Sequence, residues 1–267
     1  MDRTELSWRV ITTLIIVPVV LVVHYFGGLL LLVTLLGVTA LASKEFYGLA
    51  RSAGYHPSDT IGIIVALALN IQAYLRLDCA WGVIAVGIVA TPLWGYLFRD
   101  MSKTFLADWA CTLGGVLYSG GLLYHAILLR SLPNGFAWGM IAILGTWTYD
   151  TSAYFIGRKW GRYKFVPRIS PNKTWEGAIG GFLCSLIIVC LTSFVFKVPM
   201  VHSLVLGMLV PLAVTAGDLT ESMLKRSAGV KDAGTLIPGH GGLLDRIDGL
   251  MFAIVTVYYY ATRIAGA

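Results

Sequence analysis

The chain reads as an all-α integral membrane protein, a polytopic bundle of about nine transmembrane helices with its chemistry on the cytoplasmic side. Composition, the length of the apolar blocks and the distribution of basic residues predict this. Of 267 residues, 57% are hydrophobic and only 13% charged, whereas a soluble domain carries roughly 25%. Mean hydropathy is +0.76. Apolar blocks at about 10–27, 28–50, 60–77, 80–98, 104–130, 136–157, 176–197, 201–220 and 247–265 approach or reach the ~20 residues that cross a bilayer core. The first block is read as a span and not a cleavable signal, because no small-residue cleavage site follows it and the second block begins almost at once. The block at 104–130 is counted as one span; it is long, and a break at its glycine pairs, Gly114-Gly115 and Gly120-Gly121, would change the count by one.

Orientation follows from the cations. With the N-terminus in the cytoplasm, sixteen Lys and Arg fall inside and four (Arg76, Arg130, Lys197, Arg263) outside, as the positive-inside rule requires. An odd number of spans then places the C-terminus outside, and the cytoplasmic (inner) membrane is the expected location. The formal charge of +6 is thus mostly cytoplasmic and suits anionic headgroups and substrates. Cys79, Cys111, Cys184 and Cys190 lie in or beside apolar blocks without metal-ligand spacing, so they read as small hydrophobes. External loops are short. The two long loops, about 158–175 and 221–246, are cytoplasmic and rich in charge, Gly and Pro. There is no repeat, so 1–267 is read as one polytopic domain, with N-terminal helices over about 10–98 and a catalytic C-terminal half over about 104–265.

Carboxylates in or beside a membrane are costly and point to function. Asp218, Glu221 and Ser222 share a face at the inward end of the eighth block, and Asp245 and Asp248 are one turn apart at the start of the ninth. Asp218, Asp245 and Asp248 are expected to bind one cation with hard oxygen ligands, which suits Mg²⁺. Asp245 and Asp248 would also complement the dipole at a helix N-terminus, but that account fails for Asp218 at a C-terminal end. Between these acids, Lys225, Arg226 and Lys231 flank Pro238-Gly239-His240-Gly241-Gly242. Such glycines admit an anion close to the backbone, and the following helix start offers N–H groups to phosphate. Cations, amide cradle and metal together make a polyphosphate site. Ser170-Pro171-Asn172-Lys173-Thr174-Trp175-Glu176 reads as a tight turn opening the seventh block, with Lys173 beside its start. Asp150, inside the sixth block, faces the same cavity or makes a buried structural hydrogen bond.

The 27 contiguous residues from Ser222 to Asp248, SMLKRSAGVKDAGTLIPGHGGLLDRID, closely resemble the C-terminal signature of the bacterial phosphatidate cytidylyltransferases (CDP-diacylglycerol synthases). Its elements here are Ser222, Lys225-Arg226, Lys231-Asp232, His240-Gly241-Gly242, Asp245-Arg246 and Asp248. The segments from Asp150 to Phe155, from Ser170 to Gly177, and Glu45-Phe46-Tyr47 are also similar to that family's, with one departure at Asn172, where many relatives carry a basic residue. The resemblance implies CTP and phosphatidic acid as substrates, CDP-diacylglycerol and pyrophosphate as products, and no nucleic-acid partner. It also implies Mg²⁺ on Asp218, Asp245 and Asp248, with a second cation, monovalent or divalent, left open. The catalytic set would be Asp218, Lys225, Arg226, Lys231, His240, Asp245 and Asp248. Lys173, Ser222, Gly239, Gly241, Gly242, Arg246 and Asp150 would contact substrate, and relatives form homodimers. Alternatives are a CTP-dependent lipid kinase or a transporter for an anionic substrate. A CDP-alcohol phosphotransferase is excluded by the absence of its Asp-Gly-x-x-Ala-Arg spacing. Orientation is testable: cysteines introduced at Ala233 and Ala267, with the native cysteines replaced, should label from opposite sides of the membrane. Labelling of both from one side would rule out an odd number of spans.

Overall fold

The computed structural model describes residues 3–98, 103–234 and 241–266. The described residues are mostly helical, with one short hairpin and brief connections between helices. Its helices are α1 (Arg3–Phe26), α2 (Gly28–Ser52), α3 (Asp59–Leu75), α4 (Ala80–Phe98), α5 (Phe105–Gly115), α6 (Leu122–Ser131), α7 (Gly135–Trp160), α8 (Trp175–Val195), α9 (Met200–Ser227) and α10 (Leu244–Tyr260). The block at 104–130, read as one span, is continuous as the single apolar segment Phe105–Ser131. The backbone loosens into a π-helical turn, Val116–Gly121, and continues as α6.

By length and composition, five segments among the described residues can cross a membrane: Gly28–Ser52, Ala80–Leu97, Phe105–Ser131, Trp175–Val195 and Met200–Ser227. Leu14–Phe26 and Asp59–Leu75 are apolar but shorter. α7 is long enough, yet Asp150 and its Thr, Trp and Tyr residues hold it below that apolarity, and α10 opens on Asp245, Arg246 and Asp248. The chain is a multi-pass membrane protein. Along α8, Ile179, Leu183, Ile187 and Leu191 are each more than half exposed. Their four-residue spacing forms one apolar stripe, which suits lipid and would be a liability in water.

The helices group into two compact units, residues 1–127 with 225–246 and residues 128–224 with 247–267. In the first, α2 is fixed by polar contacts on both sides of Glu45. The Ser43 and Ser119 hydroxyls lie 2.6 Å apart, and Tyr47 donates to the Thr112 carbonyl at 3.0 Å. Tyr47 is fully buried, and its ring fills the space that Gly115 leaves: a Cβ there would come within 2.2 Å of it. In the second unit, α7 and α8 pack through small residues. A Cβ at Gly177 would meet the Ala153 carbonyl oxygen at 2.7 Å, and one at Gly181 the Tyr149 carbonyl oxygen at 2.9 Å. Close backbone approach of this kind is how helices associate where lipid removes the hydrophobic drive between them. Ser185 also donates to the Gly145 carbonyl at 2.9 Å.

The segment expected as a tight turn at 170–176 is instead the second strand of a hairpin, β1 (Lys164–Val166) against β2 (Ser170–Thr174), so the chain is not purely α. The turn lies earlier, where the Ile169 N–H donates to the Val166 carbonyl at 3.1 Å. The Thr174 hydroxyl then accepts the Gly177 N–H at 3.2 Å and caps α8, the role Thr fills at a helix N-terminus. The backbone carries Lys173 to that helix start as an extended strand.

Gly115→Val should destabilise the protein by about 1–3 kcal/mol through overpacking against Tyr47. Gly48→Ala should not, since a Cβ there meets nothing within 4 Å. Thermal unfolding of the two variants in detergent checks this, with a lowered midpoint expected for Gly115→Val alone.

Candidate active site

The residues expected to carry chemistry fall into two clusters, one in each unit. In the first unit, Lys225 stands in the last turn of α9 and Asp245 in the first turn of α10. The Lys225 ammonium donates to Asp245 Oδ1 at 2.5 Å, with side chains only 13% and 7% exposed. Asp245 Oδ2 accepts the backbone N–H groups of Ala233 at 3.0 Å and Gly242 at 2.9 Å. Three donors therefore converge on one buried carboxylate, which offsets the cost of burying it. The carboxylate of Glu45, from α2, covers the start of α10: its Oε1 accepts the Leu243 N–H at 2.9 Å and its Oε2 the Leu244 N–H at 2.7 Å.

This arrangement changes the meaning of the loop glycines. A Cβ at Gly242 would lie 2.8 Å from Glu45 Oε2 and 3.0 Å from Asp245 Oδ2, and a Cβ at Gly234 would lie 2.6 Å from Glu45 Oε1. Gly241 adopts φ +81°, a conformation that side chains rarely take. The chain's own carboxylates approach these glycines closely. The amides of Leu243 and Leu244, which follow the expected Pro238–Gly242 cradle, are engaged by Glu45. Gly239 and His240 lie outside the described residues, as does Pro238. Arg226, Lys231 and Arg246 are exposed cations. Arg226 donates to the Val230 carbonyl at 3.2 Å, which closes the turn after α9.

In the second unit, Asp218 on α9 forms an ion pair with Lys173, the two side chains 31% and 27% exposed. Gly217, just before it, packs directly on α10, where a Cβ would meet the Asp248 carbonyl oxygen at 2.6 Å. That contact brings Asp218 beside the turn bearing Asp248, whose Oδ1 accepts the Gly249 N–H at 2.7 Å. Asp218, Glu221 and Asp150 all lie within electrostatic reach of Asp248. Glu221 is fully buried and Ser222 nearly so, while Asp150 is exposed on the surface of α7. Thr215 donates to the Tyr149 hydroxyl at 2.7 Å and ties α9 to α7 one turn before Asp218.

No three His, Cys, Asp or Glu side chains among the described residues stand close enough to hold a metal by themselves. The donor chemistry nevertheless fits Mg²⁺, which takes one or two carboxylates and completes its shell with water and phosphate oxygens. Asp218 and Asp248 supply that minimum. Asp245, expected as a third ligand, is held by Lys225 and two amides.

Sequence reasoning missed Glu45 as a site residue and the pairing of Lys173 with Asp218. The available signal for the first was the family-like segment Glu45-Phe46-Tyr47, which puts a carboxylate inside the second block beside Lys44. A cavity of about 500 Å³ among Arg51, His56, Asp59, Trp94, Asp108 and Trp109 contains none of the expected site residues.

The chain is similar in sequence to known proteins. A protein named phosphatidate cytidylyltransferase from Synechocystis sp. is 31% identical over 254 residues, covering 84% of this chain and 85% of that protein. One of the same name from Mycobacterium bovis is 30% identical over 243 residues, covering 84% and 78%. A third, from Brucella abortus, is 37% identical over 177 residues, 64% of this chain. That match spans 66% of the Brucella protein, just under two thirds of its length. The model of the cytidylyltransferase family matches residues 7–264, both clusters included, and the chain belongs to that family.

Proposed function

We propose that this chain is a phosphatidate cytidylyltransferase, which transfers CMP from CTP to phosphatidic acid and releases CDP-diacylglycerol and pyrophosphate. The observation that carries this reading is the match along 84% of the chain to a Synechocystis protein bearing that name. The described part of the loop supports it. Two backbone amides orient Asp245, which in turn holds Lys225, and Arg226, Lys231 and Arg246 are exposed.

A phosphatidate oxygen attacks the α-phosphorus of CTP, a new P–O bond forms, and the bond to the β-phosphate breaks in line with it. The nucleophile is already an anion, so no general base is required. The residues contribute position and charge. Lys225, Arg226, Lys231 and Lys173 neutralise phosphate oxygens, with His240, Ser222, Arg246 and the glycines of the loop lining the substrate. Asp218 and Asp248 would hold Mg²⁺, with Asp245 in the same ligand set by resemblance. Bound Mg²⁺ would offset the charge developing on the departing pyrophosphate.

The membrane reading extends likewise. Counting α5 and α6 as one rod, the helices make nine spans, with the N-terminus and the loops at 158–175 and 221–246 in the cytoplasm. In this orientation the enzyme resides in the inner membrane and meets CTP from the cytosol; a homodimer follows the pattern of its relatives.

Purified protein given labelled CTP and phosphatidate should yield a CDP-lipid and pyrophosphate. Lipid phosphate with CDP would instead identify a lipid kinase. EDTA should abolish turnover, and Mg²⁺ or Mn²⁺ should restore it; full turnover without metal would remove the metal from the mechanism. Asp245→Asn should lower the rate on the order of 10³-fold or more while the protein stays folded in the membrane. Asp78→Asn, in the short loop before α4, should be nearly silent. An Asp245→Asn enzyme with more than about a tenth of the wild-type rate, below ~1.4 kcal/mol in ΔΔG‡, would exclude Asp245 as a metal ligand.

A further inference from the structure

We propose that Glu45 is a positioning residue for the nucleotide-binding loop: it pins the first turn of α10 to α2 and keeps phosphate off that helix start. The inference rests on the cytidylyltransferase reading above and assigns a role to a residue outside its substrate and metal set.

A helix normally caps its first N–H groups with a local Ser, Thr, Asp or Asn side chain. The residues before α10, Gly241-Gly242-Leu243, have no side chain that can do so. The Leu243 and Leu244 N–H groups are met instead by Glu45, 198 and 199 residues away in sequence, at 2.9 and 2.7 Å. Each carboxylate oxygen takes one donor, so the cap is bidentate and charge-assisted. It sits where the helix dipole favours an anion.

Glu45 is itself held in place. Ser43 and Tyr47, two residues to either side, are tied to Ser119 and to the Thr112 carbonyl. The cap therefore transmits the fixed position of α2 to α10. Two glycines make this possible, because a Cβ at Gly234 or Gly242 would intrude on the Glu45 oxygens at 2.6 and 2.8 Å. Immediately beyond Leu244 lies Asp245, whose carboxylate receives Lys225 and the amides of Ala233 and Gly242. Glu45 thus sets the turn from which Asp245 and Lys225 are presented.

A second consequence concerns the substrate. Two amides at a helix start would ordinarily bind a phosphate. With a carboxylate on them, a triphosphate is repelled from that position and is left to the cations Lys225, Arg226, Lys231 and Arg246. Glu45 selects which of two adjacent anion sites the nucleotide takes.

The test uses full-length wild-type protein and the variants Glu45→Gln and Glu45→Ala in detergent micelles. Steady-state kinetics are measured for CTP and for phosphatidate, with hydrogen exchange at residues 241–246 and in α3. Glu45→Ala should raise the KM for CTP at least tenfold and leave the KM for phosphatidate within twofold. It should also speed exchange at 241–246 at least tenfold with α3 unchanged. Glu45→Gln keeps one acceptor but loses the charge and should fall between wild type and Glu45→Ala. A KM for CTP within twofold of wild type in both variants overturns the proposal, as does unchanged exchange at 241–246. Exchange accelerated equally in α3 would make Glu45 a general stability residue and also overturn it. If the wild-type protein makes no CDP-lipid, the cytidylyltransferase reading fails by itself, and the exchange data still decide whether Glu45 pins α10.

Discussion

The buried carboxylate of Asp245 is the interaction on which the rest of the first unit's loop depends. A carboxylate with 7% side-chain exposure is tolerated only if its lone pairs find donors, and here a lysine and two backbone amides provide them. Those donors come from the end of α9, from the loop at Ala233 and from the turn at Gly242. Satisfying one charge therefore ties Ala233 and Gly242 to the ends of the two helices. Removing one partner of such a pair typically costs about 3–5 kcal/mol, because the other charge is left buried and unmatched. The exposed Lys173–Asp218 pair, with both side chains roughly a third exposed, is worth only about 0–1 kcal/mol in stability. Its value is in placing a cation beside a carboxylate of the candidate site.

Helix packing follows a different constraint. Hydrophobic burial cannot hold helices together in lipid, so contact quality and hydrogen bonds must. The glycines of this chain occupy the points where that matters. Gly177 and Gly181 let α8 meet the α7 backbone, Gly217 lets α9 meet α10 beside Asp218 and Asp248, and Gly115 accepts the ring of Tyr47. Hydroxyl groups add the polar links, Ser185 to Gly145 and Thr215 to Tyr149 in the second unit, Ser43 with Ser119 in the first. Much of the polar character of the helices is thus structural and leaves their termini for chemistry.

Glycine-rich turns before a helix are commonly read as phosphate cradles, and the loop at 238–242 invites that reading. At Gly242, as at Gly234 earlier in the loop, the structure supplies a nearer reason for the missing side chain: the carboxylates of Glu45 and Asp245 approach within a Cβ contact of the backbone. Internal anions and bound phosphates ask the same thing of a backbone, close approach to N–H groups, so residue type alone does not distinguish them. The cations are less ambiguous. Arg226, Lys231 and Arg246 are exposed, and an exposed cluster of one sign around a loop attracts polyanions.

The chain's own order of residues determined the membrane class and the helix positions, with ends up to about seven residues off, and singled out 222–248 as a candidate site. These are local properties: a span needs a contiguous apolar stretch, and helical periodicity puts Asp218 and Glu221, or Asp245 and Asp248, on shared faces. Tertiary structure decided what those residues meet. It set Lys225 on Asp245, Lys173 on Asp218 and Glu45 on the start of α10. It also turned Ser170–Thr174 into a strand and Val116–Gly121, with the second glycine pair of the fifth block, into a π-helical turn. The physical reason is that a buried charge or an uncapped N–H group takes whichever partner the fold delivers, and for Glu45 that partner lies 198 residues away.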